Sequence, residues 1–182
     1  GKHVLVEFED IAERVHVHLG MAGRLTFGSG EPPAPVGAIR WRMVGDHTYA
    51  DLRGPAACEL LRPDEVDVLL ARLGPDPLRA DADPELGWAR VHRSSRSIAS
   101  LLMDQRVAAG VGNIFRAEVL YRQRLDPMMP GRLLRHAEWE AIWDDLVELM
   151  HAAVAVGRID TVRPEHTPEA MGRPPRVDRH GG

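Results

Sequence analysis

The 182-residue chain predicts an α+β protein in which an antiparallel β-sandwich or barrel precedes an all-helical region. Over residues 1–56, apolar β-branched side chains alternate with polar ones, which is the pattern of half-buried strands. From Ser97 onward, apolar side chains recur every three or four residues, which is the pattern of amphipathic helices. The change of period from two to about 3.6 separates the two regions.

Three stretches carry the alternation of the first region, and Gly- and Pro-rich segments separate them. The stretches are residues 4–9, 15–19 and 40–44, with loops at 28–30 and 32–35. Strands at such short spacing favour neighbouring antiparallel pairs.

The helices are predicted from their ends as well as from their period. A short helix covers residues 64–73, with Pro63 before it and Gly74 and Pro75 after it. Three prolines make residues 75–96 a predicted linker. Ser97 is a candidate N-cap, and further helices are expected at about 113–124 and 135–156. Trp139 and Trp143 are expected in the core, and the polar, Pro-rich residues 158–182 predict a loop.

Residues 101–120 form the most informative segment, because their pattern predicts a helix, a sharp turn and a second helix. Gly110 and Gly112 allow a break in helical register and a close approach of another backbone. Asn113 begins the next apolar-periodic run, where free N–H groups and the helix dipole favour an anion such as phosphate. The alternative is a corner whose glycines only make room for packing.

Charge and composition limit the possible functions. The net charge is −4, but residues 90–135 hold nine arginines against three acids, which indicates a local basic patch or, alternatively, a solvated helix face. One cysteine, Cys58, excludes a disulfide framework and a Cys-based zinc site within these residues. No apolar run is long enough for a membrane span, so we expect no membrane partner. Lys2 is the only lysine.

Four motifs in this order and spacing resemble the formamidopyrimidine-DNA glycosylase / endonuclease VIII family of base-excision repair enzymes. They are GKHVL at 1–5, VHLGMAGRL at 17–25, RLGPDPL at 72–78 and the turn segment at 104–118. Three further stretches are more similar to the endonuclease VIII branch from actinobacteria. They are DLRGP at 51–55, MDQ at 103–105 and VRPEH at 162–166.

The resemblance implies an arrangement of domains. Residues 1–92 would be a partial β-sandwich without the family's catalytic N-terminal helix. Residues 93–157 would be a helix–two-turn–helix DNA-binding domain, and residues 158–182 would lead into a zinc ribbon beyond the chain. We expect no cofactor within these 182 residues and truncation at both ends relative to the family.

The resemblance also implies a function, namely a DNA glycosylase with abasic-site lyase activity by β- and δ-elimination. The substrate would be double-stranded DNA with an oxidised base, with oxidised pyrimidines favoured by the branch resemblance, or with an abasic site. The damaged base would be flipped out, since the sugar C1′ is buried inside a duplex. A cytoplasmic, nucleoid-associated bacterial monomer is expected.

Site residues follow from the motif matches, beginning with the β-region. Lys2 matches the lysine that contacts phosphate and donates a proton for β-elimination; the alternative is a solubilising strand-edge lysine. His18 matches a phosphate contact, whereas His16 on the same face is expected to be only an outward-facing strand residue. Gly20 and Met21 match the loop that fills the hole left by a flipped nucleotide, and Met21 resembles the oxidised-guanine enzymes.

The helical region contributes a second set of matches. Arg72 matches a DNA-contacting arginine, or as an alternative it interacts with a helix dipole. Gly112 and Asn113 match the phosphate-binding turn. Gln105 and Glu118 are expected to hold that turn through hydrogen bonds to the backbone.

The family's nucleophile is an N-terminal proline assisted by an adjacent glutamate, and neither is among these residues. The resemblance therefore implies that the 182 residues alone are inactive and that zinc belongs to the rest of the parent protein. A non-catalytic nucleic-acid-binding module is the alternative, because similar helical elements occur in ribosomal proteins and topoisomerases. The HLGM motif in the β-region argues against it.

Overall fold

A computed structural model describes residues 3–20, 22–157 and 159. Six strands precede five α-helices. The strands are β1 (His3–Phe8), β2 (Ile11–His18), β3 (Arg24–Ser29), β4 (Ile39–Val44), β5 (Thr48–Arg53) and β6 (Ala57–Leu61). The helices are α1 (Pro63–Ala71), α2 (Pro84–Val91), α3 (Ile98–Leu102), α4 (Asn113–Arg122) and α5 (His136–Val156), with a 3₁₀ turn at Gly131–Leu133. No helix in this part of the chain combines the length and apolarity of a membrane span.

The strands form two antiparallel three-stranded sheets, in the orders β1–β2–β6 and β3–β5–β4. Val17 in the first sheet and Leu52 in the second are buried. The predicted α+β class with an antiparallel β-region is confirmed. Strand β6 lies beyond the residues predicted to form strands.

The motif at residues 51–55 has a structural role in the second sheet. Asp51 is almost fully buried, and it accepts hydrogen bonds from Arg42 Nε at 2.6 Å and Arg42 Nη2 at 2.9 Å. Arg53 Nη2 donates to the same carboxylate at 3.1 Å. The hydrogen bond from Arg42 is the main reason why the pKa of Asp51 lies below its usual range, and Arg53 lowers it further. The carboxylate therefore ties β4 to β5.

The helical region surrounds α5, whose buried face confirms the predicted helical period. Trp139, Ile142 and Leu146 have no exposed surface, and Trp143 is also buried. Both tryptophans are core residues, as predicted. One continuous apolar cluster joins α5 to α2, α3 and α4.

The predicted linker at residues 75–96 is wrong, because residues 84–91 form helix α2. The Asp83 side chain accepts a hydrogen bond from the backbone N–H of Glu85, and Pro84 occupies the first helical turn, where a missing N–H costs nothing. Val91 is fully buried in the helical core. Pro84 therefore marks the start of a helix and not a linker. The core of the helical region begins before residue 93, because it includes Val91.

Candidate nucleic-acid interface

The turn between α3 and α4 is organised by one side chain. Gln105 donates from Nε2 to the carbonyl of Val111 at 3.0 Å, and its Oε1 accepts from the N–H of Gly110 at 2.8 Å. Gly110 has a φ of +85°, in the left-handed region that favours glycine. The predicted role of Gln105 is confirmed, as is the Ser97 cap on α3.

Glu118 does not have the role predicted for it. Its carboxylate accepts a hydrogen bond from Arg122 Nε at 3.0 Å, one helical turn along α4. Arg122 is nearly buried and also lies within 3.7 Å of Asp145 and 3.6 Å of Glu148 on α5. A glutamate on a helix can pair with a basic residue four positions later instead of bonding to a nearby backbone. Glu118 pairs with Arg122 in this way, and Asp145 and Glu148 of α5 add two further acids around the same guanidinium.

Helix α4 begins with polar groups that are available to a ligand. Gly112 is the N-cap, and its backbone is extended, with φ −116° and ψ −178°. Among the described residues no side chain caps this end, so the first N–H groups of the helix lack an intrahelical partner. Asn113 is exposed in the first turn, and its Oδ1 accepts a hydrogen bond from Arg116.

Arg116 is a candidate site residue beyond those that the motifs predict. It lies one turn after Asn113, and this i,i+3 spacing was the available signal. Its guanidinium adds a positive charge beside the helix N-terminus.

Two motifs that are about 30 residues apart in sequence meet at this turn. The N–H of Gly74 donates to the carbonyl of Gln105 at 2.8 Å, and the N–H of Ala109 donates to the carbonyl of Pro75 at 2.9 Å. A Cβ at Gly74 would lie 2.4 Å from the carbonyl oxygen of Arg106, so only glycine fits this contact. Arg72, exposed at the C-cap of α1, is thereby held near the turn.

The β-region brings His18 and Gly20 to one end of β2. His18 is the last residue of that strand and is half-buried. Gly20 follows in the turn, with a φ of +66°. The predicted site residues Lys2 and Met21 lie outside the described residues.

His16 is not an outward-facing strand residue, as had been expected. It is 4% exposed, its Nδ1 lies 3.0 Å from Glu59 Oε1, and its Nε2 lies 2.9 Å from His3 Nδ1. Burial, followed by the nearby His18 and His16, lowers the pKa of His3. The alternation of strand residues shows which side chains share a face. It does not show that the face of β2 that carries His16 is buried as well as the face that carries Val17.

A cleft of about 570 Å³ joins the two regions. His3 and Leu5 of β1 line one side, Leu73 lies after α1, and Gln105 and Gly110 of the turn line the other side. Strand β1 and the turn are therefore neighbours across this cleft, whereas the predicted site residues His18, Gly20, Gly112 and Asn113 are not among the residues that line it.

Ion pairs with acidic side chains neutralise several arginines of the predicted basic patch. Asp104 binds Arg96 Nη1 at 2.9 Å and Arg106 Nη2 at 2.8 Å. The hydrogen bond from Arg106 is the main reason why the pKa of Asp104 lies far below its usual range. Arg122 faces acids of α5 that lie outside the 90–135 window, so the charge count of that window overstates the free positive charge.

Most of the helical region matches a domain that is known from a protein family. Residues 73–164, half of the chain, match the model of the formamidopyrimidine-DNA glycosylase H2TH domain. The matched range contains α2, α3, α4 and α5.

Curated proteins with similar sequences come from several bacteria. The chain is 48% identical over 170 residues to Endonuclease 8 1 of Mycobacterium tuberculosis, a match that covers 91% of this chain and 63% of that protein. It is 37% identical to the formamidopyrimidine-DNA glycosylase of Thermus thermophilus, covering 86% of this chain and 58% of that protein. The chain thus spans about three fifths of the length of these relatives.

Solved structures share the fold. Lactococcus lactis Fpg in complex with abasic-site DNA matches with a TM-score of 0.72 and 24% identity, covering 90% of this chain and 61% of that one. MutM in complex with DNA containing carbocyclic 8-oxo-G matches with a TM-score of 0.73 and 23% identity, covering 91% of this chain and 64% of that one.

Proposed function

We propose a function for this chain from the premise that it belongs to the formamidopyrimidine-DNA glycosylase / endonuclease 8 family. The parent protein is a base-excision repair glycosylase with abasic-site lyase activity on oxidised bases, and the 182 residues are its DNA-binding middle. The partner is double-stranded DNA that contains a damaged base or an abasic site. The chain is a monomer in the bacterial cytoplasm, at the nucleoid.

The observation that carries this proposal is the uncapped start of α4 beside Asn113 and Arg116. A phosphate there would accept hydrogen bonds from the first N–H groups of the helix and from the Asn113 amide nitrogen. The helix dipole and the Arg116 guanidinium favour its negative charge. The hydrogen bonds of Gln105 and Gly74 hold the turn in place before DNA arrives, so little ordering is needed on binding.

The β-region supplies the opposite side of the DNA site. His18 contacts a second phosphate, and the loop at Gly20 and Met21 enters the space left by the flipped nucleotide, where an unbranched apolar side chain can wedge between bases. Lys2 contacts phosphate and donates the proton for β-elimination, since an ammonium can do both. Arg72 adds a contact near the turn.

The chemistry requires groups from the rest of the parent protein. In this proposal an N-terminal proline amine attacks C1′, the glycosidic bond breaks and the damaged base leaves; opening of the sugar ring then gives the Schiff base. Loss of a proton from C2′ and departure of the 3′ phosphate by β-elimination nick the strand. The one cysteine of the chain, Cys58, cannot supply a Cys-based zinc site, so the zinc ribbon also belongs to the remaining sequence. Apart from Lys2, which donates a proton, the residues named above bind and position the DNA.

Binding of the 182-residue chain to a fluorescein-labelled abasic-site duplex tests the proposal directly. Fluorescence anisotropy should give a weak affinity that falls as salt rises, because phosphate contacts release counterions. Asn113→Ala should weaken binding about fivefold on every duplex sequence, since phosphate contacts carry no base information. His151→Ala, exposed on α5, is the matched control. No binding, or binding without salt dependence, would overturn the proposal.

Borohydride reduction of the full-length parent protein on abasic-site DNA tests the lyase chemistry. A covalent adduct is expected, because borohydride reduces a Schiff base to a stable amine. DNA binding without any trapped adduct would instead support a non-catalytic nucleic-acid-binding module. Light scattering after size exclusion checks the monomer.

A further inference from the structure

A row of hydrogen-bonded side chains runs across the first sheet towards His18. The Glu59 carboxylate contacts His16 Nδ1 at 3.0 Å, and His16 Nε2 contacts His3 Nδ1 at 2.9 Å. The His3 ring then lies nearly parallel to that of His18, with centroids 4.8 Å apart. We propose that Glu59, His16 and His3 are positioning residues that fix the His18 ring for its contact with a DNA phosphate. This inference rests on the function proposed above.

Backbone pairing sets this row. His16 is directly opposite Glu59 in the β2–β6 pair, and His18 is directly opposite His3 in the β1–β2 pair. Directly opposed residues of antiparallel strands hold their Cβ atoms about 4.5–5.5 Å apart, so these side chains meet without distortion. Three strands therefore contribute to the position of one ring.

Donor and acceptor chemistry limits which nitrogens of the row can carry a proton. An ionised carboxylate can only accept, so Glu59 requires a proton on His16 Nδ1. The contact between His16 Nε2 and His3 Nδ1 holds one proton, so these two nitrogens cannot both be protonated. The row thereby limits the positive charge beside His18. Burial lowers the pKa of His3 as well, which also favours a neutral His3 ring.

The surroundings of the row suit positioning better than metal binding. Within the described part of the chain, no group of three or more His, Cys, Asp or Glu side chains could hold a metal ion. Leu69 and Leu73 line the adjoining cleft with apolar surface. Arg14 of β2 pairs with Glu7 of β1 at 2.9 Å, and neither side chain belongs to the row. His16 is buried at the centre, where its two contacts fix its ring.

A double-mutant cycle on the 182-residue chain tests the inference, with anisotropy on abasic-site DNA as the assay. Glu59→Leu should weaken binding about fivefold, the size expected for loss of one well-made hydrogen bond. Glu59→Gln should bind like the wild type, because its amide oxygen still accepts from His16. The double variant His18→Gln/Glu59→Leu should bind like His18→Gln alone, since the row acts only through His18. His47→Gln, exposed between β4 and β5, is the control.

Two results would overturn the inference while leaving the proposed function intact. One is an additive loss in the double variant, and the other is wild-type affinity in Glu59→Leu while Asn113→Ala still weakens binding. If the wild-type chain binds no DNA, the proposed function fails, and NMR of the histidine rings decides on the row. A Glu59→Leu spectrum in which the His18 ring signals move supports the coupling, and one in which they stay in place rejects it.

Discussion

The two regions of the molecule hold their candidate site residues by different means. In the helical region the turn before Asn113 is held by bonds to the main chain, which the Gln105 side chain makes with Gly110 and Val111 and which Gly74 makes with the carbonyl of Gln105. In the β-region strand pairing places His18, and the contacts that reach its ring from Glu59, His16 and His3 are between side chains. The turn therefore depends on one side chain, Gln105, and on its glycines, whereas the row in the β-region can be lost at any of its three members.

The two regions also differ in their cores. The helical region has one continuous apolar cluster that includes Trp139 and Leu146, whereas few strand side chains, such as Val17 and Leu52, are buried. Buried apolar area is the main source of folding free energy. The helical region should therefore be the more stable of the two.

Core truncation should produce the largest effect. Trp139→Ala is expected to lower the free energy of unfolding by about 4 kcal/mol, and Leu52→Ala by about 3 kcal/mol. Amide hydrogen exchange should show faster exchange in α2, α4 and α5 for the first variant and in β3–β5 for the second. Tyr121→Ala, highly exposed on α4, is the control. Slower exchange in the wild-type strands than in α5 would reverse the comparison.

Filling the space at Gly74 should have the next largest effect. Gly74→Ala places a methyl group against the backbone of Arg106 and should cost about 2 kcal/mol in urea unfolding. It should also weaken DNA binding, because the turn moves. Gly45→Ala, where a Cβ meets only ordinary contacts, should be close to neutral. Equal losses in the two variants would mean that the contact is not tight.

Acid should weaken the helical region through Asp104. Its pKa is lowered in the folded protein, so its ion pairs stabilise fully above the ordinary value near 3.8 and are lost as pH falls further. The difference in unfolding free energy between wild type and Asp104→Asn should shrink as pH falls from 5 to about 2. Asp81→Asn, in an exposed pair with Arg79, should show much less change.

The smallest effect is expected from His3 in the β-region. Because its pKa is lowered from 6.5, the unfolded state binds its proton more readily, and stability falls as pH drops below about 6.5. Thermal melts between pH 7.5 and 5 should show a smaller decrease for His3→Gln than for wild type. An unchanged slope would contradict a protonation penalty at His3.

Much of this fold could be predicted from periodicity and end signals. Alternation located β1, β2 and β4, and the spacing of Trp139 and its neighbours located α5. Helix α2 could not be predicted in this way, since a proline in a Pro-rich stretch is equally typical of a linker and of a helix start. Its burial depends on contacts with Trp139 and Val107, which are distant in sequence.

The candidate site shows the same division. Gln105 and Gly110 could be identified because the turn that they form is local in sequence. His16 was assigned to the surface because its environment depends on Glu59, 43 residues away and opposite it only once β2 and β6 pair. Two of the partners of Arg122 likewise come from another helix. Long-range pairings of polar side chains leave no periodic trace in a sequence.

The hydrogen bond between Gly74 and Gln105 closes residues 75–104 into a loop fixed at both ends. The entropy of closing such a loop grows only slowly with its length, so extra residues at its exposed positions, such as 79–81, should be tolerated. The residues that close it have no such freedom. Insertions at these exposed positions should therefore leave the two closing motifs linked, whereas a change in one of those motifs should need compensation in the other.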